Sequence, residues 1–257
     1  MLNIMLTGVG GQGTVLAAKV LAQAAQEKGW YVRTAETIGM AQRGGSVVSH
    51  VRMGNNGEEV HAPLIARGTA DLVIAFEPAE GARVLPYLSS DGLLVTATTG
   101  VQPVTAALSD DPYQAEQVLA WLRGCFTDQP EKLVEVDDAA ILEEIGNRKA
   151  LNTVLLAKAL SVGHIPLDLD DLKSAIKVCV KPRFVELNLK AIEAAQEDGF
   201  NFLCLAGWLW GSRPQLQPMK IGLRGSLVPR NSPGRSAALV ALPRKRARPR
   251  PSRTSRQ

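Results

Sequence analysis

The last 57 residues of this 257-residue chain contain no acid. Residues 201–257 hold twelve Lys and Arg and seven of the 15 prolines, while all 25 Asp and Glu lie in residues 1–200 against seventeen bases. The formal charge of +4 is therefore an acidic part at −8 joined to a basic part at +12. The expected organisation is one globular domain over 1–200 and a basic Pro/Arg-rich tail over 201–257, expected to be disordered. The tail's "PRKRARPRPSRTSR" has the clustered bases of a nucleic-acid arm. The abrupt loss of every acid fits a plain extension better, or a stretch translated out of its ancestral frame, so nucleic acid is not an expected partner.

Other absences exclude more chemistry. The three cysteines, Cys125, Cys179 and Cys204, include no Cys-x-x-Cys, so no iron–sulfur cluster and no disulfide framework is expected. No His, Cys and carboxylate set has structural zinc spacing, and there is neither a G-x-S-x-G elbow nor a Walker lysine motif. The Asp-Gly pairs at 91–92 and 198–199 are not preceded by Gly, so the GDG magnesium motif of thiamine diphosphate sites is missing. The tail's longest apolar run, "FLCLAGWLW" at 202–210, is about half the length that spans a bilayer. The start "MLNIMLTGV" lacks the basic region of a secretory leader. A cytoplasmic protein with no membrane partner is the expectation.

What is present begins at residues 3–13, "NIMLTGVGGQG". "NIMLT" reads as a buried strand, 14–29 as a helix with an apolar stripe of Leu16, Val20, Leu21 and Ala24, and 31–37 as a second strand. This is a βαβ unit with glycines at 8, 10 and 13 in the G-x-G-x-x-G spacing of a dinucleotide turn. Backbone N–H groups at such a helix start can receive phosphate. Glu36 stands near the place where an acid takes a ribose hydroxyl in NAD sites. The next strand, "SVVSHVRMG" at 46–54, follows a loop of only eight residues, too short for a parallel crossover. An antiparallel or corner strand is predicted there, unlike the doubly wound order of a nicotinamide domain.

Further strands are expected at 71–76, 92–99 and, as an edge, 132–136. Helices are expected at 78–88, 137–146, 147–163, 168–180 and 182–199. In "AQRGGSVVSHVR" two glycines after Arg43 present its guanidinium for a planar contact with carboxylate or phosphate. His50 and Arg52 share one strand face, with His50 read as a solvent-facing edge residue. Of the two carboxylates after the 71–76 strand, Glu80 reads as a helix cap and Glu77 stays open between capping and chemistry.

Together "GVGGQGTVLAAKVLAQAA", "ETIGMAQRGGSVVSHVRMG", "DLVIAFEPAEGARVLPYL" and "VELNLKAIEAA" resemble the gamma-type domain of the 2-oxoacid:ferredoxin oxidoreductases, in particular the indolepyruvate ferredoxin oxidoreductase beta-subunit family. The likeness covers about residues 3–199. "VTATTGVQP" departs from a usual V-N-T before proline, and Ala157 stands where glycine is frequent. The resemblance implies an α/β fold: a single Rossmann-like gamma-type domain with a mixed sheet, flanking helices and a helical C-terminal part. It implies an oxidoreductase subunit, inactive alone. The complex would convert indolepyruvate or another aryl 2-oxoacid into acyl-CoA, CO2 and reduced ferredoxin. Thiamine diphosphate, Mg and iron–sulfur clusters would sit on a large (alpha) partner subunit, with CoA as co-substrate and ferredoxin met through the complex. No catalytic or metal residue is expected on this chain. Gly8, Gly10, Gly11, Gln12, Gly13, Arg43, Gly44 and Gly45 are the expected contacts with CoA or the partner. A NAD(P)-binding Rossmann oxidoreductase is the alternative.

Overall fold

The computed structural model describes residues 1–39, 44–102 and 113–197, together with the backbone of 220–221 and 227–228. Six strands form one sheet: β1 (Leu2–Val9), β2 (Tyr31–Ile38), β3 (Ser46–Gly54), β4 (Ala70–Ala75), β5 (Leu88–Ala97) and β6 (Leu133–Val136), in the order β2-β3-β1-β4-β5-β6. β1, β4, β5 and β6 run parallel, whereas β3 is antiparallel to both β1 and β2. The short connection after β2 thus turns the chain straight back, and β3 inserts between the two strands of the expected βαβ unit. β1 and β2 remain parallel without touching.

The strands alternate between two cores. Ile4, Leu6, Leu72, Ile74 and Val95 point to a face covered by α1 (Thr14–Glu27), α4 (Asp138–Ile145), α5 (Leu151–Ser161), α6 (Leu169–Cys179) and α7 (Pro182–Glu197). Met5, Val73, Ala75 and Leu94 point to the other, covered by α2 (Pro78–Val84), α3 (Ala115–Cys125) and Ile65. Each fully buried Leu or Ile contributes about 2 kcal/mol, and these central strands bury nearly all of theirs.

Helix α1 lies close on the sheet because its buried face is largely alanine: Ala17, Ala18, Ala24 and Ala25, with Val20 and Leu21. Leu16, expected in that stripe, is only half-buried. Helix α2 stops at Val84, two residues before Pro86, and a 3-10 turn Leu85–Tyr87 completes the predicted segment. A 3-10 turn, Arg148–Ala150, likewise precedes α5, which is buried on all sides from Asn152 to Leu160. Helix α6 carries a capping box in which Asp168 and Asp171 satisfy each other's backbone, as its acidic start suggests. Helix α3 has no counterpart in the sequence reading, although Val118, Leu119 and Leu122 form its buried stripe.

At the opposite end of the sheet from β6, β2 is an edge strand exposed over most of its length, with Tyr31 at 58% and Ile38 at 62% exposure. The basic tail falls outside the described residues, except for a two-residue pairing of Lys220–Ile221 with Leu227–Val228. No helix among the described residues is long and apolar enough to cross a membrane.

Candidate functional site

The glycine turn joins the end of β1 to the start of α1, at the carboxyl ends of the parallel strands, where α/β sheets bind ligands. Gly8 has no room for a side chain: a Cβ there would sit 2.8 Å from Gln12 Oε1 and 2.9 Å from Phe76 Cβ. Gly11 and Gly13 have φ of 108° and 87°, backbone states that other residues rarely adopt. Gly13 is the N-cap of α1, and with no side chain it leaves the first N–H groups of that helix uncapped. No acid occupies the first turn. The helix dipole at this end is therefore available to an anion.

Gln12 holds the turn in shape. Its Oε1 accepts the Val9 N–H at 2.7 Å and its Nε2 donates to the Phe76 carbonyl at 2.8 Å, linking the ends of β1 and β4. The Gly10 N–H donates to the Gly45 carbonyl at 2.8 Å. The two glycine-rich segments, far apart in sequence, thus share one rim because β3 pairs directly with β1. Gly8, Gly10, Gly11, Gln12, Gly13, Gly44 and Gly45 are gathered there. Arg43 lies outside the described residues.

Beneath the turn, Glu77 and Glu80 are both buried, at 2% and 6% exposure. The cap expected at Glu80 is instead Glu77. β4 ends at Ala75, so Glu77 is the N-cap of α2 and its Oε2 accepts the Glu80 N–H at 2.9 Å. Tyr113 donates its hydroxyl to Glu77 Oε1. Glu80 instead accepts from Ser46 Oγ at 2.5 Å and pairs with Arg83 at 3.4 Å. Burial pushes the Glu77 carboxyl above its ordinary value, opposed by the Tyr113 and Glu80 donors. Burial and the Glu77 charge push Tyr113 up as well. Neither Ser46 nor Tyr113 carries a sequence signal for this contact.

His50 is a second correction. It is 6% exposed rather than solvent-facing, because residues 55–69 cover it: its Nδ1 accepts the Ile65 N–H at 3.3 Å. Burial lowers its pKa, and Tyr87 meets its ring edge-on. Arg52, on the same strand face, donates Nε to Asn3 Oδ1 at 2.9 Å and Nη1 to the Ala62 carbonyl at 2.8 Å. Both residues anchor the covering segment.

The dinucleotide alternative meets a geometric obstacle. β3 separates Glu36 from β1, so the acid stands about 9.6 Å from β1, two strand spacings rather than one. Among the described residues no three His, Cys, Asp or Glu side chains gather to hold a metal ion. Cys125 and Cys179 are free thiols, both raised by burial. The backbone N–H groups of the rim can receive an anion.

Residues 3–197 match the family described as Pyruvate ferredoxin/flavodoxin oxidoreductase. The chain is 38% identical over 194 residues to the indolepyruvate oxidoreductase subunit IorB of Archaeoglobus fulgidus, covering 75% of this chain and 92% of that one. Among solved structures, the gamma subunit of a keto/oxoacid ferredoxin oxidoreductase from Geobacter sulfurreducens has a TM-score of 0.54 at 22% identity, covering 77% of this chain and 97% of that one. A 2-oxoglutarate:ferredoxin oxidoreductase from Magnetococcus marinus, with 2-oxoglutarate, coenzyme A and succinyl-CoA bound, has a TM-score of 0.55 at 16% identity, covering 76% of this chain and 30% of that one. A mixed six-stranded sheet, a glycine turn locked to the 44–45 segment and these likenesses lead to one assignment: the chain belongs to the pyruvate ferredoxin/flavodoxin oxidoreductase family, as a gamma-type subunit of a 2-oxoacid:ferredoxin oxidoreductase.

Proposed function

We propose that this subunit serves the oxidative decarboxylation of an aryl 2-oxoacid, indolepyruvate or a relative, to acyl-CoA, CO2 and reduced ferredoxin, in the cytoplasm. The observation that carries this reading is the match to an indolepyruvate oxidoreductase subunit over 92% of that subunit's length. Thiamine diphosphate with Mg, and the iron–sulfur clusters, belong on the large partner subunit: this sequence has no GDG motif and no Cys-x-x-Cys. When bound there, those groups supply the carbanion and electron-transfer chemistry.

The chain's own part is recognition. CoA is an anion with a diphosphate and a further phosphate, and the uncapped, acid-free start of α1 suits one of them. Arg43 directly precedes Gly44 and Gly45 in sequence, and a guanidinium grips phosphate bidentately. The contact between Gly10 and Gly45 would then fix CoA against the interface with the large subunit. The coenzyme A in the Magnetococcus marinus structure, which shares the fold, supports that ligand class.

The test is reconstitution. Mixed with its large subunit, the chain should support CoA-dependent reduction of methyl viologen by indolepyruvate, and either chain alone should not. Arg43→Ala should raise the KM for CoA and leave kcat unchanged. Turnover by the isolated chain with a nicotinamide cofactor would overturn the reading.

A further inference from the structure

We propose that Asn152 is a binding residue of the anion site at the start of α1, giving a side-chain N–H to a phosphate oxygen alongside the backbone N–H groups of residues 14–16. This rests on the proposal that the glycine turn meets CoA, and it names a residue that no glycine motif includes.

Asn152 is 6% exposed. Its Oδ1 accepts the N–H of Thr153 at 3.0 Å, which fixes the orientation of the amide. The two N–H groups of Nδ2 are left, and they donate to no group among the described residues. That nitrogen lies against Gly13, 3.1 Å from the place a Cβ would occupy there. It is not sealed in: among the described residues, the fully enclosed side-chain atoms without a partner are Thr7 Oγ1, Ser49 Oγ and Asn55 Oδ1. A donor so deeply placed, unpaired among the described residues and set against the N-cap of the uncapped helix lacks an acceptor that a ligand can bring.

The helix starts nearest Asn152 carry the right sign, while Glu77 and Glu80 under the turn are engaged by Tyr113, the Glu80 N–H, Ser46 and Arg83. Asn152 stands in the first turn of α5, which also has no acid there and no side-chain cap on its N-cap, Ala150. Two helix N-termini therefore meet at Gly13 and Asn152, each equivalent to about half a positive charge. Arg148 and Lys149, in the 3-10 turn leading into α5, are exposed and add two cations. The carboxylate of Asp138 lies at the end of β5, where its Oδ1 accepts the N–H groups of Thr98 and Thr99 at 3.0 and 2.9 Å. Its charge is engaged there.

A purely packing role for Asn152 makes a different forecast, and near-isosteric substitutions separate the two. Asn152→Asp keeps the shape and the acceptor for Thr153 but replaces Nδ2 by an oxygen carrying charge. Asn152→Ser shortens the side chain, so its single hydroxyl can replace the acceptor for Thr153 but no longer reaches the place of Nδ2. In the enzyme reconstituted with its large subunit, withdrawing one hydrogen bond to a charged group should raise the KM for CoA about tenfold in Asn152→Ser. Asn152→Asp should raise it further, with kcat and the KM for the 2-oxoacid unchanged in both. Repeating the titration with 3′-dephospho-CoA assigns the phosphate: the effect persists if the diphosphate is held and vanishes if the 3′-phosphate is.

Should Arg43→Ala raise the KM for CoA while both Asn152 variants match the wild type, the role of Asn152 is overturned and the CoA reading stands. Should none of the three shift it, the CoA reading itself falls. If the Asn152 variants fail to assemble, competition against CoA in the wild-type complex by inorganic pyrophosphate and by adenosine 3′-phosphate decides. Competitive inhibition by either supports the site, and its absence with both overturns it.

Discussion

Replacing Gln12 by Ala should weaken the fold more than its half-exposed position would imply. The side chain bridges two backbone groups, the N–H of Val9 at 2.7 Å and the carbonyl of Phe76 at 2.8 Å. Alanine leaves both without a partner, in a turn packed so tightly that Gly8 lies against the same oxygen. Each unmet group costs about 1–2 kcal/mol at partial burial, so the loss should be about 2–4 kcal/mol. At about 2–4 °C per kcal/mol for a domain near 200 residues, Tm should fall by about 5–15 °C. Gln12→Glu sharpens the test. It keeps the acceptor for Val9, but a carboxylate oxygen then faces the Phe76 carbonyl with no proton between them. The introduced carboxyl regains a donor only when protonated, so this variant should be most damaged at pH 8 and recover toward pH 4.5, relative to wild type at each pH. Thermal melts followed by circular dichroism across that range measure both effects. A Gln12→Ala melt within about 1 °C of wild type, or a Gln12→Glu deficit that ignores pH, refutes the bridging account.

Glu77→Gln should flatten the pH dependence of stability. Burial raises the folded carboxyl above its ordinary 4.5, so the folded chain holds that proton more tightly and loses stability as pH rises from 4.5 through the folded value. Chemical denaturation at pH 5 and pH 8 should show a smaller drop in the variant than in wild type. Gly54→Ala should be among the most damaging single changes, because a Cβ there would lie 1.7 Å from the Glu58 carbonyl oxygen and the backbone must move. Its soluble yield and Tm report this. Arg52→Ala removes the tie from β3 to the Ala62 carbonyl and so loosens the 55–69 segment, and limited proteolysis should cut within 55–69 sooner than in wild type, while the sheet persists by circular dichroism.

Most of the sheet was legible because its strands are short apolar runs bounded by Gly, Pro or charge, and the direction of β3 followed from loop length alone. Helix α3 went unread because its apolar stripe is only three residues wide, Val118, Leu119 and Leu122. The exchange of roles between Glu77 and Glu80 came from one residue of strand boundary: capping depends on where β4 stops, and Ala75 rather than Phe76 is its last residue. His50 was placed on the surface because period-two alternation says which face a residue takes, not what covers that face. The glycine turn was plain from its spacing, but its contact with Gly45 depends on β3 lying beside β1. Asn152 reads locally as an ordinary helix residue. Its nearness to Gly13 exists only after two helices have packed.

Along one side, the sheet of the described residues ends in a row of backbone donors and acceptors that none of its other strands pairs. β2 offers eight residues, with Tyr31 and Ile38 uncovered near its ends and Arg33 and Glu36 as its charged guards. Another extended segment aligned there continues the ladder at the ordinary spacing of about 4.8 Å, with no unfolding required. Colloidal behaviour and assembly are thus one problem for this chain. The strand through which solitary copies would stick is the strand a companion can cover, so the yield of soluble protein should rise with co-expression before any activity is measured.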